Sequence, residues 1–473
     1  MVKNKNLVSN NKFDYIVIAI FLFSLIVPVM IATSHYYITQ YGDDIAMISW
    51  AQEHHTNPLD IFTGKLGTGY RPMMHMWFFV GYNLWGGEPF YYHMLNGIIF
   101  ASAMVFLYLL GKTLNGKVAG ITAVLLYLFL DGSFIMVAKL GFIAFSAEIL
   151  FITAALYFAI QFYKTNNKTS MWLAIIISAL AFLSKETSLL IIPLANLTYL
   201  YFNNSLKRIH IILCMIPIVY MFVILLYLAP DVGAEQGSNL IERITSNLQF
   251  YINTELFSQF KTPFLLILSL MISGYYWIKN KFRTEISMCI MWFVVGILPF
   301  LITQQPVQPT YLIESNLAAV LLIGVICSDR FKINDLLTGI LILAIISQAI
   351  MIPIQIAGIK GYNQAVSLNQ KTFFETVNEL DTIPSNSTVF YLSDETRQQY
   401  GYQQLTTYFF QKYLCIRNFC DINVTTSYNE TNYIILPSSA DIQVFGKEHP
   451  NQNIIILSQI QNGENYGYVL QRT

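Results

Sequence analysis

The chain has 473 residues, of which 55% are hydrophobic and only 11% charged; 27 basic residues balance 27 acidic ones, for a formal net charge of zero. Soluble domains carry about 25% charged residues, so most of this chain cannot face water. Nor does the balanced charge provide the basic footprint that nucleic acid needs.

A membrane-spanning helix needs roughly 20 apolar residues. About eleven such runs follow one another, near 15–33, 91–111, 118–135, 143–163, 171–184, 187–203, 209–229, 263–279, 286–303, 312–328 and 335–354. The first exceeds the roughly 7–15 residues of a signal-peptide core, and no Ala-x-Ala site follows, so it reads as an uncleaved anchor. The expected fold class is an α-helical polytopic membrane protein with about eleven transmembrane helices. Residues 1–356 form the membrane domain and 357–473 a small soluble α/β domain.

The loop at 34–90, between the first two spans, concentrates polar groups. It opens on Asp43 and Asp44, directly after the first helix. Adjacent carboxylates repel, so one holds its proton more tightly and suits a general base near neutrality. The alternative is an N-cap for a helix over Ile45–His54, a place where Asp is favoured. Tyr70, Arg71 and Pro72 then introduce an apolar stretch, Met73–Leu84, too short to span and fitted to an interfacial or re-entrant helix. Pro72 suits the first helical position. Arg71 beside unpaired N–H groups is either a phosphate site or a side chain snorkelling to headgroups.

At the entry to the second span, His93 and Asn96 lie one turn apart on one face, where they line a polar cavity or simply sit at the interface. Lys139 and Glu148 stand near the outer ends of the third and fourth spans. Lys185 and Glu186 divide the fifth span from the sixth, as a charged pair facing a cavity or as an ordinary turn. Gln304–Glu314 forms a further outer loop. Glu53, His54, His55 and His75 have no established metal-ligand spacing, so the sequence lends no support to a divalent cation without excluding one.

Basic residues set the orientation. With a cytoplasmic N-terminus, the inner tail and inner loops hold fourteen Lys and Arg, among them Lys207, Arg208, Lys279, Lys281 and Arg283, against six in the outer loops. An odd number of spans then places 357–473 outside. There, Gln364–Leu380 has a helical pattern, and Thr388–Leu392, Asn432–Leu436, Asn453–Leu457 and Tyr466–Leu470 read as short buried strands. Cys415 and Cys420, outside the apolar runs and in an oxidising compartment, are a disulfide candidate or two buried thiols.

Taken in order, the acidic pair after a first helix, Tyr-Arg-Pro, Gly-x-x-Pro-Phe-x-x-His-x-x-Asn and Ser-Lys-Glu resemble the GT-C glycosyltransferase superfamily over roughly residues 15–195. The resemblance is closest to the protein O-mannosyltransferases and to bacterial aminoarabinose transferases. It implies a sugar donor on a polyprenyl phosphate, with inverting transfer on the outer face to a hydroxyl of a lipid, polysaccharide or protein acceptor. It implies that Asp43 or Asp44 is the catalytic base and that Arg71 and Lys185 lie near the leaving phosphate. Glu186, His93, Asn96 and Tyr70 would share the cavity. The lack of long outer-loop insertions favours a bacterial inner membrane with a periplasmic C-terminal domain over the endoplasmic reticulum with a luminal one. Relatives often carry an Arg-Tyr-Leu-Tyr-like stretch entering a late span; this chain has Thr310-Tyr311-Leu312-Ile313-Glu314, without the Arg.

Three other functions fit a polytopic chain. A transporter or flippase tends to carry charges at the bilayer midplane and repeated halves; no repeated halves are found here. An O-antigen polymerase or ligase uses lipid-diphosphate donors and Arg- and His-rich outer loops. A purely structural or receptor role leaves the acidic pair without a purpose.

Overall fold

A computed structural model describes residues 15–33, 42–63, 71–128, 136–137, 140–228, 244–247, 249, 263–302 and 313–328, and in the C-terminal part 375–377, 379–391 and shorter stretches between 411 and 472. Helices α1 (Tyr15–Thr33), α2 (Gly42–His54), α3 (Asp60–Thr63), α4 (Pro72–Trp85), α5 (Pro89–Asn115) and α6 (Lys117–Leu128) make up the first part. They are followed by α7 (Ile143–Thr165), α8 (Lys168–Phe182), α9 (Ser188–Phe202), α10 (Arg208–Leu228), α11 (Pro263–Ile278), α12 (Arg283–Ile302) and α13 (Ile313–Cys327). Ten of the expected apolar runs coincide with these helices; the run at 335–354 lies outside the described residues.

Among the described residues, the stretches Phe90–Asn115 and Leu140–Thr165 are long and apolar enough to cross a membrane. α8 and α9 have 15 residues each, about 22 Å at 1.5 Å per residue, which falls short of a hydrocarbon core of about 30 Å.

Helices α5, α6 and α13 approach closely at small residues, the usual contact where apolar lipid provides no hydrophobic drive. A Cβ on Gly120 would stand 2.3 Å from the Tyr108 carbonyl oxygen, and one on Gly324 2.4 Å from that of Ala119. Gly120→Val therefore forces backbones apart; a loss of about 1–3 kcal/mol or more is expected, read as a lower thermal midpoint of the detergent-purified protein. A midpoint equal to wild type would mean the helices are not packed this closely.

In the C-terminal part, β1 (Thr388–Phe390), β2 (Asn423–Thr425), β3 (Tyr433–Leu436), β4 (Ile454–Asn462) and β5 (Asn465–Arg472) form a sheet in the order β2-β1-β3-β5-β4. β1 pairs in parallel with β2 and β3, and β5 in antiparallel with β3 and β4. Strand β2 is not among the strands expected from sequence. Its Asn-Val-Thr is too short for alternation to be visible. The isoleucine run read as a buried strand is instead an edge: Ile454, Ile455 and Ile456 are 38%, 51% and 55% exposed. Most of the helix expected over Gln364–Leu380 lies outside the described residues, its end forming a 3-10 turn at Glu379–Thr382.

The sheet packs onto the helices between the first two apolar runs. One buried cluster joins Ile48, Trp50 and Ala51 of α2 and Met74 and Phe78 of α4 to Val389, Tyr391, Leu414 and Ile435. Gln52 donates to the Cys415 carbonyl oxygen at 3.2 Å.

Candidate active site

Pro72 opens α4 at its first position, as its fixed φ favours, and leaves Arg71 as the N-cap residue. The Met73 N–H donates to the Leu183 carbonyl oxygen at 3.0 Å, fastening the start of α4 to the turn between α8 and α9. Across this junction, Arg71 Nε and Nη2 donate to the two carboxylate oxygens of Glu186, each at 3.2 Å. Such a fork fixes both the distance and the plane of the guanidinium. The two side chains are 29% and 26% exposed, so the clamp sits at the rim of the apolar interior.

Burial alone would raise the Glu186 carboxyl; the Arg71 guanidinium, a backbone N–H and Lys185 outweigh it and hold the group below the ordinary carboxylate range. The clamp thus contributes fully above that range and is lost only as pH falls through the depressed value.

One residue back, Lys185 points the other way. It is 3% exposed and pairs with Glu148 of α7 at 3.6 Å and, more closely, with Glu314 of α13, both carboxylates being fully buried. Thr187 donates to Glu148, and the ammonium lies 3.7 Å from the centre of the Phe145 ring. Buried charges of this kind persist only when paired. Lys185, expected at the leaving phosphate, is therefore already occupied by two carboxylates. Glu148 and Glu314 were legible only as acids near span ends. In the sequence Glu314 closes the loop read over Gln304–Glu314, four residues past Thr310, which stands where the Arg is expected.

His93 and Asn96 share a face, and both are buried and bonded to backbone carbonyls. His93 Nδ1 donates to the Val137 carbonyl oxygen at 3.0 Å, and Asn96 Nδ2 to that of Met136 at 2.6 Å. They anchor the segment leading into α7.

Helix α2 begins at Gly42, ahead of the acidic pair, so neither aspartate is the N-cap. Both backbones lie in the first turn, where the helix dipole favours an acid; their side chains lie outside the described residues. So do Tyr70, Cys420 and Thr310–Leu312, which leaves the Cys415–Cys420 pair undescribed. Further along α2, Trp50 stacks on His54 and on His75 of α4, with ring centres 5.0 and 4.4 Å apart. His75 Nδ1 donates to the Ile61 carbonyl oxygen at 3.2 Å, and burial holds its imidazole below the ordinary value. His54 and His55 bond the backbone of their own helix, at the carbonyls of Trp50 and Gln52. Among the described residues no group of three or more His, Cys, Asp or Glu assembles to hold a metal.

Residues 70–233 match the family described as dolichyl-phosphate-mannose-protein mannosyltransferase. An uncharacterized protein of Aquifex aeolicus (strain VF5) is 29% identical over 147 residues, 30% of this chain and 28% of that protein. Among solved structures, ArnT from Cupriavidus metallidurans superposes in its apo state with a TM-score of 0.52 at 9% identity. The same protein bound to undecaprenyl phosphate gives 0.50 at 10%. Each superposition covers 96% of both chains. The chain has the GT-C fold, as the ordered motifs imply, and the match to the mannosyltransferase family takes in Arg71, His93, Glu148, Lys185 and Glu186.

Proposed function

We propose that this GT-C-fold chain is a membrane glycosyltransferase that moves a sugar from a polyprenyl-phosphate carrier to an acceptor hydroxyl on the extracytoplasmic face. The observation that carries it is the clamp of Arg71 on Glu186 at the start of α4, inside the stretch that matches the mannosyltransferase family. A guanidinium oriented by a carboxylate at an apolar rim suits the phosphate of a lipid-borne donor, whose prenyl tail lies among helices.

In this scheme Asp43 or Asp44 takes the proton of the acceptor hydroxyl as its oxygen bonds to the anomeric carbon. The bond from that carbon to the carrier phosphate breaks, and the electron pair leaves with the phosphate. Arg71 stabilises the charge growing there. Attack from the opposite side inverts the carbon. Lys185, paired with Glu148 and Glu314, holds the Ser184–Thr187 turn in place, so that Glu186 presents Arg71 rather than meeting the phosphate itself.

The reading includes eleven membrane crossings with a cytoplasmic N-terminus in a bacterial inner membrane, a catalytic membrane domain over 1–356 and a periplasmic domain over 357–473. The buried Lys185 set also suits a transporter, which would move its substrate without making a glycosyl product.

The test is incubation of the purified protein with a panel of polyprenyl-phosphate sugars. Release of polyprenyl phosphate is expected with one of them, and Arg71→Ala is expected to reduce kcat/KM for that donor by about 10²-fold or more while the protein purifies as wild type does. No release from any donor, together with substrate movement across vesicles, would overturn the reading. An Arg71→Ala enzyme with unchanged kcat and KM would remove Arg71 from it.

A further inference from the structure

Helix α9 has the Arg71–Glu186 clamp before its first turn and Phe202 at its other end, about 22 Å away at the rise of an α-helix. At that far end, α9, α11 and α12 leave an open apolar groove of about 600 Å³. Its walls include Phe202, Trp277, Ile290, Met291 and Val294. Trp277 Nε1 donates to the Ser287 hydroxyl at 2.9 Å, which sets the indole against the groove.

Cations gather at this end. Lys279, Lys281 and Arg283 occupy the turn joining α11 to α12, and Lys207 and Arg208 follow Phe202 by five and six residues. The turn is tight, with Asn280 and Phe282 in the left-handed region at φ 55° and 52°. The Arg283 guanidinium stacks 4.5 Å from the Trp277 ring centre and 5.0 Å from that of Phe202. Lys279 and Lys281 are exposed, as are Lys207 and Arg208. Across residues 198–210 and 263–298 the only acid is Glu285.

The geometry points to this groove as a binding site for an anionic phospholipid, its acyl chain along the apolar wall and its phosphate among the cations of the α11–α12 turn. A basic pocket between helices on the cytoplasmic side is the arrangement that selects acidic headgroups over neutral ones. A merely apolar groove would take any lipid alike. The site is separate from the candidate active site, at the opposite end of α9. Its assignment to the cytoplasmic leaflet rests on the orientation in the proposed function.

The test reads binding and requires no sugar donor, so it succeeds or fails independently of the transferase reading. The full chain is placed in phosphatidylcholine nanodiscs containing a small, equal fraction of brominated phosphatidylglycerol or brominated phosphatidylcholine. Trp277 emission is taken as the difference between wild type and Trp277→Phe. Brominated phosphatidylglycerol is expected to quench Trp277 more strongly, and the excess to vanish at high salt in the wild type. In Lys279→Gln/Lys281→Gln the apparent affinity is expected to fall by about fivefold per cation removed. Equal quenching by the two lipids, or an excess that survives both salt and the double variant, overturns the proposal. So does a Trp277 that neither lipid quenches, as when a second copy of the chain covers the groove.

Discussion

Asp43→Asn and Asp44→Asn are expected to lower the rate of sugar transfer by roughly 10²–10⁴-fold at the residue that serves as base, with membrane insertion and yield unchanged. Asparagine keeps the shape of aspartate but has no carboxylate to take the hydroxyl proton. Two features of the fold bear on this position. The pair lies in the first turn of α2, where the positive end of the helix dipole favours an ionised acid. The body of that helix is fixed by Ile48, Trp50 and Ala51, buried against α4 and the C-terminal sheet. Transfer rates measured with the responsive donor decide the matter. Wild-type rates in both variants would falsify the base assignment, whereas a large loss in only one would identify which carboxylate acts.

The second large effect concerns stability. Lys185→Met is expected to cost about 3–5 kcal/mol, the usual penalty for stripping the partner from buried charge, because it leaves Glu148 and Glu314 facing each other away from water. Glu314→Gln should be mild, since it keeps the shape and leaves one ammonium opposite one carboxylate. Combining Lys185→Met with Glu148→Gln and Glu314→Gln should recover most of the loss, as no uncompensated charge remains. Thermal unfolding of the purified variants provides the comparison. A Lys185→Met protein as stable as wild type, or a triple variant no better than the single one, would remove the ion set from the account of the fold.

The loss of Lys185 also separates positioning from chemistry. The turn that carries it carries Glu186, and Glu186 sets the plane of Arg71. A variant that folds but loosens the turn should therefore lose donor use while the acidic pair remains intact.

Sequence alone determined the features that depend on composition and local period. Apolar runs marked the helices, because a segment that cannot face water must satisfy its backbone internally. Pro72 marked the start of α4, and the order of short motifs marked the GT-C fold. Only the tertiary structure decided which charges face which. Lys185 and Glu186 are neighbours in the chain, yet one turns inward to Glu148 and Glu314 and the other outward to Arg71. Glu314 lies 129 residues from its partner, and no local pattern encodes so distant a pairing. His93 and Asn96 were legible as one polar face, but whether such a face lines a cavity or binds backbone depends on the chain laid against it, here Met136 and Val137. Burial of a charge is a property of the packed whole, because the cost of removing it from water is offset only by groups brought in from elsewhere in the chain.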